Sequence, residues 1–93
     1  MIRSFADKAT AQVFQGVLPR GMARDLALAA RRKLAMLDAA ERLDDLRLPP
    51  GNRLEPLRGD RAGQHSIRIN GQWRLVFTWH EDGPHAVGIV DYH

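Results

Sequence analysis

The 93-residue chain has no cysteine, only two lysines and no long run of apolar residues. Without cysteine, disulfide bonds and thiolate metal sites are excluded, so folding must rely on packing. No apolar segment reaches the roughly 20 residues of a membrane-spanning helix, and the first residues lack the apolar core of a signal peptide. Length and composition therefore predict one globular domain over residues 1–93, a cytoplasmic location and no membrane partner.

The motifs that hold nucleotide cofactors and metal ions are also missing. There is no Walker loop and no glycine-rich dinucleotide fingerprint. The histidines show neither a helical i,i+4 pair nor the spacing of metal ligands; they are His65, His80, His85 and His93. We therefore expect no cofactor and no resident metal.

Positive charge is present instead, and almost all of it is arginine. The formal net charge is +3; residues 53–74 hold five arginines against two acidic residues, whereas residues 75–93 contain no lysine or arginine. The planar guanidinium group matches the geometry of a phosphate. This pattern favours nucleic acid or another polyanion as a partner, although many soluble proteins are equally basic.

The first half of the chain is predicted to be helical. A helix over about residues 5–15 follows a capping box formed by Ser4 and Asp7, and Gly16 is its predicted stop. A longer helix is predicted over about residues 20–42. Its apolar positions recur at spacings of four, four and three and form one stripe of Leu26, Ala30, Leu34 and Leu37.

The second half is predicted to form antiparallel strands over residues 53–58, 65–69, 73–80 and 86–92. Asn70-Gly71 predicts a tight hairpin, because both residues tolerate positive φ. The alternating side chains of Trp73, Leu75, Phe77 and Trp79 favour the core over base stacking. The expected fold class is α+β, with two N-terminal helices packed on one face of a small antiparallel sheet.

Polar residues of the second half are candidates for chemistry. Alternation places Arg58 and Arg74 on the exposed face of the sheet, and the chain ends in Asp91-Tyr92-His93. Imidazole exchanges protons near neutral pH, but the last residue of a chain is more often part of a frayed tail. From the residues alone, a catalytic His93 and a solvent-exposed His93 both remain open.

Two segments carry a resemblance to a known family. Residues 53–74 read RLEPLRGDRAGQHSIRINGQWR, and residues 89–93 read IVDYH. Together they resemble the HigB toxins, also called plasmid-maintenance killer proteins, of the RelE-like superfamily of type II toxin–antitoxin systems. With the length and the order of elements, the resemblance covers essentially the whole chain and implies a RelE-like fold.

The resemblance implies a ribosome-dependent endoribonuclease that cuts the mRNA codon in the A site of the 30S subunit. The 2′-hydroxyl of one nucleotide attacks the adjacent phosphate without a metal or cofactor, so the substrate must be RNA. Asp91 and His93 match acid/base positions, and Tyr92 matches a position that orients the nucleotide or assists proton transfer. Arg74 matches the main phosphate contact, and Arg58 stands where many relatives have lysine.

Glu55 departs from the family pattern, since some relatives have histidine there. A carboxylate cannot replace an imidazolium as a phosphate partner, but it can act as a general base. Which residue takes the proton from the 2′-hydroxyl therefore stays open.

The resemblance also implies partners. Contacts with mRNA and 16S rRNA are expected from basic residues, namely Arg24, Arg31, Arg32, Lys33, Arg53, Arg61 and Arg68; residues 31–33 also fit a solvated helix face. A HigA-like helix-turn-helix antitoxin is expected to hold the toxin inactive and to connect it indirectly to operator DNA. Two alternatives remain: a non-catalytic module that binds RNA or the ribosome, and a co-repressor without nuclease activity.

Overall fold

A computed structural model describes residues 1–92 of the chain. Its helices are α1 (Lys8–Phe14) and α2 (Arg24–Ala39), and short 3-10 helices cover Leu43–Arg47, Pro50–Asn52 and Gly59–Arg61. Its strands are β1 (Glu55–Pro56), β2 (His65–Arg68), β3 (Trp73–His80) and β4 (Gly83–Asp91). They form one antiparallel sheet in the order β1-β2-β3-β4, which confirms the predicted α+β class.

Helix α1 begins later than predicted because the residues before it pair with β4. The backbone N–H of Ala6 donates to the carbonyl of Val87 at 2.8 Å, and Ser4 Oγ accepts from the N–H of Ala86 at 2.8 Å. The predicted cap by Ser4 is therefore wrong. Asp7 caps the helix instead, accepting from the N–H of Thr10 at 2.7 Å.

Helix α2 carries the predicted apolar stripe, and all four of its members are buried. The helix is shorter at its C-terminal end than predicted. The side chain of Asp45 accepts hydrogen bonds from the backbone N–H groups of Glu41 and Arg42, at 3.0 and 3.1 Å. A continuing helix would direct these groups to carbonyls four residues earlier. Within residues 1–92, no helix is long and apolar enough to cross a membrane.

The core lies between α2 and one face of the sheet. Ile67, Leu75, Phe77 and Val87 are fully buried and form one cluster with the α2 stripe. Trp73 and Trp79 are partly buried against the same cluster, which confirms that the aromatic face of β3 points to the core. Both helices therefore pack on one sheet face, and the other face is left uncovered by them.

The first strand is much shorter than the predicted strand over residues 53–58. Arg53 has left-handed backbone angles (φ 47°, ψ 53°), outside the extended region, and the ladder begins only at Glu55. Pro56 lies on the sheet edge, where its missing N–H costs no ladder hydrogen bond.

The hairpin between β2 and β3 is confirmed, but its predicted turn chemistry is wrong. Neither Asn70 nor Gly71 adopts positive φ. Asn70 Oδ1 instead accepts from the N–H groups of Gln72 and Trp73, both at 2.9 Å. The side chain of Asn70 thus closes the turn, as asparagine commonly does.

We predict that Leu34→Ala lowers the free energy of unfolding by about 2–5 kcal/mol, because it leaves a cavity at a fully buried position. Met36→Ala on the same helix is the matched control, since Met36 is exposed and its replacement should cost far less. Urea unfolding followed by circular dichroism measures both. Equal stability of the two variants would contradict the proposed packing.

Candidate active site

On the sheet face opposite α2, the strand register fixes which residues lie side by side. Glu55 on β1 lies opposite Ser66 on β2, and Ser66 lies opposite Val76 on β3. Next to this row is an open cavity of about 660 Å³, lined by Glu55, Pro56, Leu57, Arg58, Arg61, Val76, Val90, Asp91 and Tyr92. Four of the predicted catalytic residues therefore share one cavity with Arg61.

Arg74 adjoins this cavity and is held from several sides. Its Nη1 atom lies 3.2 Å from Glu55 Oε1 and donates to Ser66 Oγ at 3.1 Å and to the Arg53 carbonyl at 3.3 Å. Its side chain is only 11% exposed. All of these contacts use one nitrogen, so the other guanidinium N–H groups keep their capacity to donate to an anion.

Tyr92 completes the cluster. Its hydroxyl donates to Glu55 Oε1 at 3.1 Å, the same oxygen that faces Arg74. The guanidinium carbon of Arg74 lies 4.5 Å from the centroid of the Tyr92 ring, within the range of a cation–π interaction. Glu55 therefore links β1, the middle of the sheet and the end of the chain in one polar cluster, Arg74–Glu55–Tyr92.

Two more arginines and one carboxylate border the cavity. Arg58 and Arg61 are exposed; Arg58 precedes the short 3-10 helix between β1 and β2, and Arg61 is its last residue. Asp91, at the end of β4, accepts a hydrogen bond from Gln72 Nε2 at 3.2 Å. Among residues 1–92, no group of three or more histidine, aspartate or glutamate side chains is arranged to hold a metal ion.

The chain end is anchored beside the β2–β3 turn. The N–H of Tyr92 donates to the Gln72 carbonyl at 2.7 Å, which places Tyr92 over the site. His93 lies outside the described residues, so its catalytic role stays a prediction. Ser66 was missed by the sequence reasoning because a serine in a strand carries no motif; only its register beside Arg74 reveals it.

The predicted RNA-contacting residues divide between two surfaces. Arg53 and Arg61 are exposed close to the Arg74–Glu55–Tyr92 cluster, and Arg68 lies directly opposite Arg74 in the β2–β3 ladder. The remaining ones lie on α2, which packs on the other side of the sheet: Arg24, Arg31, Arg32 and Lys33. The structure therefore does not bring all seven residues into one patch.

The side chain of Lys33 makes a hydrogen bond within the protein. Its ammonium group donates to Asn52 Oδ1 at 2.6 Å, and the fully buried Asn52 donates to the carbonyls of Leu46 and Leu48, both at 3.3 Å. Burial lowers the pKa of Lys33, and the nearby charges of Arg32 and Arg68 lower that pKa further. Lys33 thus ties α2 to the loop that leads into Arg53 and β1.

Comparison with solved structures identifies the fold class. The chain is similar to a chain of the YoeB–YefM complex from Staphylococcus aureus, with a TM-score of 0.61 and 18% identity over 100% of this chain and 98% of the other. The fold is that of the RelE-like toxins. Residues 3–93 match the family model described as the RelE-like toxin of the type II toxin–antitoxin system HigB. The chain belongs to this HigB-like toxin family, which confirms the resemblance found in the sequence.

Individual relatives agree with this family. The chain is 58% identical over 48 residues to Toxin HigB-1 of Vibrio cholerae, and 46% identical over 48 residues to an uncharacterized protein of Haemophilus influenzae. Each alignment covers 52% of this chain, and it spans 50% of the first relative and 48% of the second. Endoribonuclease HigB of Proteus vulgaris is 28% identical over 93 residues, which is 100% of both chains.

We predict that Lys33→Met destabilises the fold by about 1–3 kcal/mol, because Asn52 Oδ1 loses its charged donor while it stays buried. Arg32→Met is the matched control: Arg32 is the exposed neighbour, and its change should stay within about 0.5 kcal/mol. Both values come from urea unfolding. A Lys33→Met variant as stable as the control would show that the lysine contributes nothing to this loop.

Proposed function

We propose that this chain is a toxin that cleaves mRNA in the ribosomal A site, using the 2′-hydroxyl of one nucleotide as the nucleophile. The observation that carries the proposal is the Arg74–Glu55–Tyr92 cluster beside an open cavity bordered by Arg58 and Arg61. A phosphodiester entering this cavity meets three guanidinium groups and a carboxylate. Guanidinium groups can stabilise the charge of the phosphorane, and a carboxylate can accept the proton of the 2′-hydroxyl.

The proposed reaction forms a bond from the 2′-oxygen to phosphorus and breaks the bond from phosphorus to the 5′-oxygen. The products are a 2′,3′-cyclic phosphate and a 5′-hydroxyl end. A base must remove the proton of the 2′-hydroxyl, cations must stabilise the extra charge of the phosphorane, and an acid must protonate the leaving oxygen.

Arg74 is proposed as the main phosphate contact. Ser66 and the Arg53 carbonyl hold its guanidinium in place, so little orientational freedom is lost when a phosphate arrives. Arg58 and Arg61 are exposed at the same cavity and would neutralise the phosphate charge that Arg74 does not reach. Arginine suits this task because its charge persists at any physiological pH.

Glu55 is proposed as the general base. Without substrate, its charge is stabilised by Arg74 and by the Tyr92 hydroxyl. These contacts hold the Glu55 carboxylate at the cavity, where it could accept the proton of a 2′-hydroxyl. His93 and Asp91 are proposed for the proton delivery to the 5′-oxygen, and Tyr92 for positioning the nucleotide.

Two macromolecular partners belong to the proposal. The ribosome would hold the codon in a fixed geometry, and this would compensate for the small number of catalytic groups in the site. Near the cavity, 16S rRNA or mRNA would be contacted by Arg53, Arg61 and Arg68. A HigA-like helix-turn-helix antitoxin would hold the toxin inactive and contact operator DNA. The type II toxin–antitoxin family supports the existence of such an antitoxin.

A non-catalytic RNA-binding or co-repressor function is the second candidate. One observation favours it: Glu55, where some relatives carry histidine, already occupies Arg74 at 3.2 Å. Such a protein would bind programmed ribosomes, or the antitoxin on operator DNA, without cutting mRNA. Cleavage by the wild-type chain would eliminate this candidate.

Arg74→Ala should reduce mRNA cleavage on programmed 70S ribosomes by roughly 10²–10³-fold, the usual cost of removing one donor to a developing oxyanion. The control is Arg42→Ala, which removes an arginine whose side chain is 81% exposed and lies outside the site. Circular dichroism confirms folding of both variants. Unchanged cleavage by a folded Arg74→Ala variant would remove Arg74 from the mechanism.

His93→Ala should likewise reduce cleavage, by roughly 10²–10⁴-fold if the imidazole transfers a proton in the transition state. The assay includes EDTA, naked mRNA and a DNA strand of the same sequence. We expect cleavage to resist EDTA, to require the ribosome and to spare DNA, which lacks the 2′-hydroxyl. Cleavage of the DNA strand would exclude the proposed nucleophile.

A further inference from the structure

An apolar groove lies where the turn after α1 meets α2, away from the catalytic cavity. Val17, Leu18 and Leu28 line it and are 48%, 51% and 49% exposed. They are three of the seven large apolar side chains that are exposed among residues 1–92. Clustered exposed apolar side chains on a small protein usually mark a contact with another macromolecule.

The size of the groove argues against a small ligand. Its volume is about 170 Å³, whereas small-molecule sites usually occupy roughly 300–1,000 Å³. The space suits one or two apolar side chains that project from a larger partner. The groove runs beside a helix, and an amphipathic helix is the common occupant of such a surface.

The charges at the groove narrow the choice of partner. Arg24, Leu28 and Arg31 follow one another at spacings of four and three on α2, so they form one stripe with a cation at each end. Within residues 1–92, neither arginine has an ion pair or a side-chain hydrogen bond. The Arg31 guanidinium lies over Gly16, where an added Cβ would be 3.2 Å from it. A partner with an apolar stripe flanked by carboxylates is complementary to this surface.

We propose that this groove binds an amphipathic, acidic helix of the antitoxin. The apolar side of that helix would rest on Leu18 and Leu28, and its carboxylates would pair with Arg24 and Arg31. The inference rests on the proposed function for the existence of the antitoxin. Because α2 covers the sheet face opposite Arg74 and Glu55, the groove and the catalytic cavity are separate surfaces.

The test measures the affinity of this chain for its purified antitoxin, which the proposed function expects to be a helix-turn-helix protein encoded next to this chain's gene. Leu28→Asp and Leu18→Asp should each raise the Kd at least about tenfold, as substitution of a central apolar contact does. The matched control is Leu48→Asp, which changes a leucine that is 73% exposed and does not line the groove and should leave the Kd unchanged. Circular dichroism and thermal unfolding verify that all three variants fold.

The same variants separate this proposal from the proposed nuclease activity. Leu28→Asp should cut mRNA on programmed ribosomes like wild type, and co-expressed antitoxin should no longer relieve its growth arrest. If the wild-type chain does not cleave mRNA on programmed ribosomes, the proposed function is contradicted. The affinity measurements would still show whether the groove binds the antitoxin. An unchanged Kd for both groove variants overturns the groove proposal, as does a wild-type chain that does not bind this antitoxin.

Two other occupants of the groove are outcomes of the same experiments. The double variant Arg24→Glu/Arg31→Glu should bind antitoxin at least about tenfold more weakly. Reduced cleavage with unchanged antitoxin affinity would instead assign these arginines to RNA. A wild-type chain that dimerises in light scattering, and becomes monomeric with Leu28→Asp, would assign the groove to a second copy of this chain.

Discussion

The two-residue period of strand β3 connects the core of this protein with its candidate active site. Leu75 and Phe77 must face α2, because their burial against the α2 stripe forms the core. The residues between and beside them, Arg74 and Val76, must then face the opposite side of the sheet. A register slip of one residue would bury the Arg74 guanidinium among apolar side chains and expose the core residues instead. Packing on one face thus decides the position of Arg74, the proposed phosphate contact, on the other.

The polar cluster stabilises the charge of Arg74, which this register places where solvent hardly reaches it. Arg74 is largely withdrawn from solvent and lies opposite Arg68, another cation, so it needs a nearby anion and acceptors. Glu55, Ser66 and the Arg53 carbonyl supply them. The left-handed backbone of Arg53 directs that carbonyl, and the partly buried hydrogen bond from Lys33 to Asn52 holds the preceding residue. The α2 side of the molecule is therefore coupled to the site by a short chain of contacts.

Much of the fold was predictable because its signals are periodic. The buried stripe of α2, the aromatic core face of β3 and the hairpin at residues 70–71 were all confirmed. The errors concern ends and turns, where side chains compete for backbone groups: Asp7 replaced Ser4 as a cap, and Asn70 closed its turn with Oδ1. Such competition depends on neighbours that only the tertiary structure brings close. For example, residues 4–6 pair with β4 through backbone hydrogen bonds.

The sequence by itself determined the fold class and the family, because helical and strand periods and the two motifs at residues 53–74 and 89–93 are local properties of the chain. It also supplied the site candidates one by one, without their relations. Only the tertiary structure decided that Glu55 and Tyr92 meet at one oxygen beside Arg74, that Lys33 is committed to Asn52, and that the α2 arginines lie on a different surface. The physical reason is that contacts between residues 19 to 37 positions apart depend on strand register and helix packing, which no local pattern encodes.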